Sequence, residues 1–250
     1  MLQLHRFKQI NSTYLLISVS LTVFLAELFY NYFVSPEALE GIFYTYGFSL
    51  DGFLAGRWWT PITSIFLHAS PDHIALNMIA LFFFGSVLEN EIGWKKVMLI
   101  FFVSALLGNV AVAVATMFNI MPASVPVIGA SAAIFGLLGA AMLVKPLEFV
   151  MFPYLVPIPL LLVALIYIFF NITEFIVVLA TGGVTDVAYA AHIGGLISGM
   201  LFGFKQEGKK RSMILLAGIL IILIFIPFIW EMLQYLELTN YINFLPIIFK

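Results

Sequence analysis

The chain reads as long apolar runs separated by short polar clusters. A helix that crosses a bilayer needs about 20 mostly apolar residues. On that criterion the runs predict spans near 12–34, 72–89, 96–118, 129–145, 156–178, 188–205 and 213–235, about seven transmembrane helices. The last stretch, "YINFLPIIFK", is apolar but too short to cross and is expected at the interface. Segment 35–61 is expected to be the one long loop between spans, carrying Glu37, Glu40, Asp51, Arg57, Trp58 and Trp59. Loops of that length are often functional. No internal repeat, low-complexity tract or soluble domain interrupts the pattern, so residues 1–250 are expected to form one membrane domain.

Composition agrees. The chain is 63% hydrophobic and 10% charged, against about 25% charged in soluble domains. The fold class expected is an all-α, polytopic membrane helix bundle. A net charge of −2 offers no basic surface for nucleic acid. With no cysteine there is no disulfide, no thiolate nucleophile and no Cys-ligated metal. The first run is too long for a signal-peptide core and is expected to be a retained span.

The basic residues set an orientation. With a cytoplasmic N-terminus, nine of the eleven Lys and Arg fall inside: Arg6, Lys8, Lys95, Lys96, Lys145, Lys205, Lys209, Lys210 and Arg211. Arg57 and Lys250 fall outside, a strong positive-inside bias. Loop 35–61 and segment 119–128 then face outward. The fourth span is short: from Gly129 to Lys145 a helix rises about 25 Å, less than the hydrocarbon core of about 30 Å. If its lower end reaches the cytoplasmic interface, Ser131 lies near a sunken helix N-terminus. Pro122 and Pro126 disfavour helix just before it.

Several polar residues need an explanation, because ionisable groups in membranes are functional candidates by default. His68 and His73 come from "FLHASPDHIALN" and His192 from "AAHIGGLISG". His5 lies in the cytoplasmic N-terminus and is set aside. His73 and Asn77 share a helical face and act either as interhelical glue or as paired donors. Gly195, Gly199 and Gly203 let another helix approach, and Ala130, Ala133, Gly136 and Ala140, with Gly139 beside them, form the matching stripe on span four. Ser131 is either a small packing residue or a nucleophile. The second role needs a base within hydrogen-bond reach and donors for an oxyanion. Glu89 and Glu91 are expected to pair with Lys95 and Lys96 or to cap a loop, and Asp186 to face water. Glu27 and Glu174 lack a partner that the sequence names. Aromatic runs such as "LFFFG" and "LIYIFFN" read as lipid-facing or core.

With these motifs in order, the chain resembles the rhomboid family of intramembrane serine proteases over roughly residues 50–205. The resemblance rests on "FLHASPDHIALN", "GASAAIFGLLGA" and "AHIGGLISG". It implies a six-helix core over 12–205 and an additional C-terminal helix at 213–235. It implies Ser131 as nucleophile within the motif that Gly129 opens, His192 as base, and His73, Asn77 and the Ser131 backbone N–H as oxyanion holders. Phe135 matches an aromatic that packs on the base, and Gly195 and Gly199 match glycines that let spans four and six touch. His68 matches a further histidine near the site, and span five would move laterally to admit a substrate helix. The implied activity is cleavage of transmembrane helices of single-span or polytopic proteins in the bilayer. No cofactor and no metal are implied, and the expected location is the plasma membrane with the site open outward.

Two departures stand out. Ala132 replaces the glycine that usually follows the serine, and geometry is expected to survive it. Trp59 is followed by Thr60 rather than arginine, which bears on how the outer loop is anchored. The rival readings are a non-catalytic rhomboid-like binder of transmembrane helices, a metal hydrolase using His68, His73 and Asp72, and a transporter. The metal reading lacks an H-E-x-x-H pattern, and the transporter reading lacks repeat halves.

Overall fold

The apolar runs fold into helices close to where the sequence places them. The computed structural model describes residues 11–150, 157–181, 188–207 and 217–218. Helix α1 spans Ser12–Phe29 and continues as a π-helical turn to Val34; α5 spans Pro71–Ile92, α6 Trp94–Met117, α7 Ser131–Val144, α8 Leu160–Thr181 and α9 Tyr189–Glu207. The seventh expected span apart from 217–218, the C-terminal tail, the side chain of Glu174, and His5, Arg6, Lys8, Asp186, Lys209, Lys210, Arg211 and Lys250 lie outside the described residues.

Among the described residues, four helices are long and apolar enough to cross a membrane: Ser12–Val34, Pro71–Ile92, Trp94–Met117 and Leu160–Val177. The protein is an integral, multi-pass helical bundle. Helix α7 has only 14 residues, about 21 Å of rise. Helix α9 is long enough but carries Gly194, Gly195, Gly199, Gly203, His192 and Lys205, so close packing takes the place of apolarity there. Helix α8 starts later than its apolar run, because Pro157 and Pro159 hold the chain extended. Here Phe149–Val150 and Ile158–Pro159 form a two-residue antiparallel ladder.

Local chemistry fixes the helix starts. Asn11 caps α1, and the Glu89 carboxylate accepts the Ser12 N–H at 2.7 Å, the Thr13 N–H at 3.0 Å and the Thr13 hydroxyl at 2.7 Å. An anion at a helix N-terminus is favoured by the dipole. The acid thus caps α1 instead of pairing with Lys95 or Lys96. Glu91 pairs with Lys145 at 3.0 Å, Lys96 bonds Gln206, and Lys95 lies over the Trp94 ring. At Gly93 a φ of +82° turns the chain from α5 into α6.

Segment 35–61 is largely helical. Helix α2 (Pro36–Tyr46) begins at Ser35, whose Oγ accepts the Ala38 N–H at 3.1 Å, and α3 (Leu50–Leu54) begins at Ser49, whose Oγ accepts the Gly52 N–H at 3.2 Å. A short α4 covers Thr60–Thr63. Serine caps followed by Pro or an acid were the legible sign, hidden because these helices are too short for an apolar period. Trp59 Nε1 donates to Thr45 O at 3.0 Å, Thr63 Oγ1 to Tyr46 O at 2.6 Å, and Asn109 Nδ2 of α6 to Pro61 O at 3.1 Å. Arg57 lies 4.1 Å over the Tyr44 ring. The loop is therefore anchored by several groups, with no arginine needed at position 60.

Helix α7 is the axis of the bundle, with every residue from Ala132 to Val144 buried. It packs most closely on α9. A Cβ at Gly195 would overlap the carbonyl of Ala132, one at Gly199 the carbonyl of Gly136, and one at Gly203 would meet Ala140 O at 3.0 Å. A glycine Hα occupies each of these directions and points at a carbonyl oxygen. Such Cα–H···O contacts contribute about 0.5–1 kcal/mol each. The α7 stripe that faces the glycines is therefore Ala132, Gly136 and Ala140. Gly139, beside that stripe, also meets α9: a Cβ there would stand 2.5 Å from Leu196 O.

Gly199→Ala is expected to lower stability by about 1–3 kcal/mol or more, the usual cost of overpacking, read as a lower unfolding midpoint in detergent. Gly41→Ala is expected to leave the midpoint unchanged or slightly raised, since nothing lies within 4 Å of a Cβ at exposed Gly41. Equal midpoints for Gly199→Ala and the native chain contradict this packing.

Candidate active site

Helix starts and glycine contacts converge on Ser131. It opens α7, with Ala130 as cap residue, so its N–H belongs to the first turn, where amides lack intrahelical partners. Gly129 has a φ of +116°, a conformation that L side chains rarely adopt. Its N–H donates to Ser64 O at 2.8 Å. A Cβ at 129 would stand 2.8 Å from His73 Nε2 and 3.9 Å from Asn77 Nδ2. Glycine here brings the backbone leading into Ser131 directly against the His73–Asn77 face. That face is set by the N-cap Ser70, whose Oγ accepts the His73 N–H at 3.2 Å.

The other wall is α9. His192 lies in its first turn, 9% exposed, with Nε2 at 2.7 Å from Ser131 Oγ. Its ring stacks on Phe135, centroids 4.4 Å apart and planes 10° apart. Tyr189 meets the same ring edge-on at 6.3 Å. Gly195 and Gly199, one and two turns further along α9, make the contact with α7 that sets this spacing.

His68 stands behind this arrangement. Its ring centroid is 5.1 Å from that of His73, and its Nδ1 donates to Phe66 O at 3.1 Å. Its backbone N–H reaches the buried Glu27 carboxylate at 3.1 Å, which supplies the partner that Glu27 lacked in the sequence. Burial, with a smaller push from His73, lowers His68 to about 4, so its ring is neutral near pH 7. Asp72 is exposed in the first turn of α5. Among the described residues, no three His, Asp or Glu side chains group so as to hold a metal ion.

Ala132 is absorbed by a neighbour. A Cβ at Gly108 of α6 would come 2.7 Å from the Ala132 methyl and 2.9 Å from Ala191 O. The methyl thus packs where α6 has no side chain, in a small cluster with Phe48, Val112 and Ala191.

One residue escaped the sequence reading. Asn171, on α8 and buried, places its side-chain amide 2.7 Å from His192 Nδ1. It ends the stretch "LIYIFFN", which reads as aromatic packing. The available signal was a lone amide midway along an apolar helix, where an unpartnered polar group is costly.

A hydroxyl at hydrogen-bond distance from an imidazole can pass it a proton. Helix N–H groups and side-chain donors on the opposite wall can hold a developing negative oxygen.

The Rhomboid domain family matches residues 55–207. Rhomboid protease GluP of Bacillus subtilis (strain 168) is 30% identical over 172 residues, covering 67% of this chain and 31% of that protein. RHOMBOID-like protein 1 of Arabidopsis thaliana is 35% identical over 146 residues, covering 58% of this chain and 34% of that protein. RHOMBOID-like protein 12, mitochondrial, of the same plant is 30% identical over 176 residues, covering 65% and 51%. The chain thus spans about a third of the length of the first two relatives.

Gly108→Ala is expected to cost about 1–3 kcal/mol, and adding Ala132→Gly is expected to restore part of that loss by removing one of the two close contacts. Strictly additive effects in the double-mutant cycle, read from unfolding midpoints, contradict the Gly108–Ala132 contact.

Proposed function

The chain belongs to the rhomboid family, and on that premise we propose that it is an intramembrane serine endopeptidase acting through Ser131 and His192. The observation that carries the reading is the 2.7 Å approach of His192 Nε2 to Ser131 Oγ at the start of a buried, short helix. The substrates are transmembrane helices of single-span or polytopic proteins, unwound locally because a helical peptide bond is shielded. The chain lies in the plasma membrane with a cytoplasmic N-terminus, and the site opens outward, as the distribution of Lys and Arg supports.

Ser131 Oγ attacks the scissile carbonyl carbon as its proton passes to His192 Nε2. The negative oxygen is held by the Ser131 N–H, His73 and Asn77. Collapse breaks the C–N bond, and His192 returns the proton to the leaving amine. Water, deprotonated by His192, then cleaves the acyl ester and frees Ser131. The stack on Phe135 holds the imidazole plane through both half-reactions. Among the described residues no carboxylate bonds the His192 ring, unlike the triad design, so turnover is slow.

The test uses the purified full chain and a single-span substrate. Ser131→Ala and His192→Ala are expected to reduce cleavage to background. Asn77→Ala is expected to lower kcat by about 10²–10³, as for loss of one oxyanion donor. Cleavage by Ser131→Ala at the native rate contradicts the assignment. Substrate binding without cleavage by the native chain points to the non-catalytic family members instead.

A further inference from the structure

The unassigned group nearest the chemistry is Asn171. One amide atom lies 2.7 Å from His192 Nδ1, and the other, placed as oxygen, is buried without a partner among the described residues. The oxygen and nitrogen of an amide are interchangeable in shape, so the hydrogen-bond network decides which one faces the ring. The two arrangements differ in consequence. With the NH2 group toward His192, the amide donates to Nδ1 and the imidazole proton resides on Nε2. That N–H then donates to Ser131 Oγ, and a protonated nitrogen cannot take the serine proton. With the oxygen toward His192, Nδ1–H donates to the amide, and Nε2 presents its lone pair to the Ser131 hydroxyl. The amide oxygen and nitrogen exchange places between the two, and every other heavy atom stays where it is.

Resting on the Ser131–His192 reading above, we propose that Asn171 is a positioning residue whose amide oxygen accepts the Nδ1–H of His192, fixing the tautomer that leaves Nε2 free as the base. The stack on Phe135 restrains the tilt of the ring, and Asn171 restrains its rotation within that plane. When His192 takes up the serine proton, the Nδ1–H stays on the amide oxygen. This is part of what a carboxylate does in a triad, performed by a neutral group that puts no charge into the hydrocarbon layer. The helix that carries Asn171 therefore contributes to the site through His192 and not by touching the reacting atoms.

Nitrogen-15 NMR of the native full chain in bilayers, labelled at histidine, reads the tautomer directly. The His192 signals are assigned by their loss in His192→Gln. The expected result is a protonated Nδ1 and a bare Nε2 on His192. A protonated Nε2 with bare Nδ1 overturns the proposal. A second readout is the rate at which a fluorophosphonate probe labels Ser131. Asn171→Leu, which keeps the volume and removes the acceptor, is expected to slow labelling about 100-fold, the low end of general-base contributions. It is expected to lower kcat for cleavage while KM stays within about twofold of the native value, since a positioning group acts on chemistry and not on uniform substrate binding. Native labelling rates for Asn171→Leu overturn the proposal while Ser131→Ala remains unlabelled. Native labelling of Ser131→Ala instead overturns the reading on which the proposal rests. If the Leu variant does not fold, the tautomer of the native chain decides alone.

Discussion

Helices α7 and α9 lie so close that α9 has glycine wherever an α7 carbonyl faces it: Gly195 on Ala132 and Gly199 on Gly136. In hydrocarbon, burying apolar surface between helices gains little, because lipid is as apolar as leucine. Close van der Waals contact and Cα–H···O contacts take over. That one interface ties the short, buried α7 to the rest of the bundle. It also fixes the depth and rotation of α9, whose first turn carries His192. The 2.7 Å separation of His192 from Ser131 is thus a consequence of side chains that are absent a turn or two away.

The opposite wall depends on the same economy of size. Gly129 lets the backbone pass against His73, and only a residue without a Cβ adopts its φ with that neighbour in place. Behind it, Glu27 of α1 holds the His68 backbone, and His68 packs on His73. The segment from α2 to α4 closes this end through Phe48 and Val127, which exchange backbone hydrogen bonds at 2.9 and 2.7 Å, and through Ser64. The Glu27 carboxylate and the Gly129 N–H are held by neighbouring backbone groups, as low-dielectric surroundings favour, while His68 Nε2 is buried without a hydrogen-bond partner among the described residues.

Much of this was legible in the sequence. Apolar run length located the spanning helices, because the bilayer imposes a minimum that few soluble segments meet. The spacing of His73 from Asn77 and of the α9 glycines located faces, because the helical period is fixed. The rest was hidden for identifiable reasons. Rotation about α7 decides that the Ala132 carbonyl meets Gly195, and neighbouring alanines carry no rotational signal. Glu89 reaches back 77 positions to cap α1, a pairing that local spacing cannot reveal. Asn171 looked like the end of an aromatic run because its partner, His192, belongs to the next helix.

The proposed mechanism requires that Ser131 Oγ be the atom that reacts and that the His73–Asn77 wall receive the negative oxygen. A structure of the native chain after reaction with a fluorophosphonate tests both at once. The expected result is phosphorus bonded to Ser131 Oγ, with a phosphoryl oxygen in hydrogen-bond reach of the Ser131 N–H and of His73 or Asn77. An adduct on another residue, or a phosphoryl oxygen turned away from that wall, would contradict it.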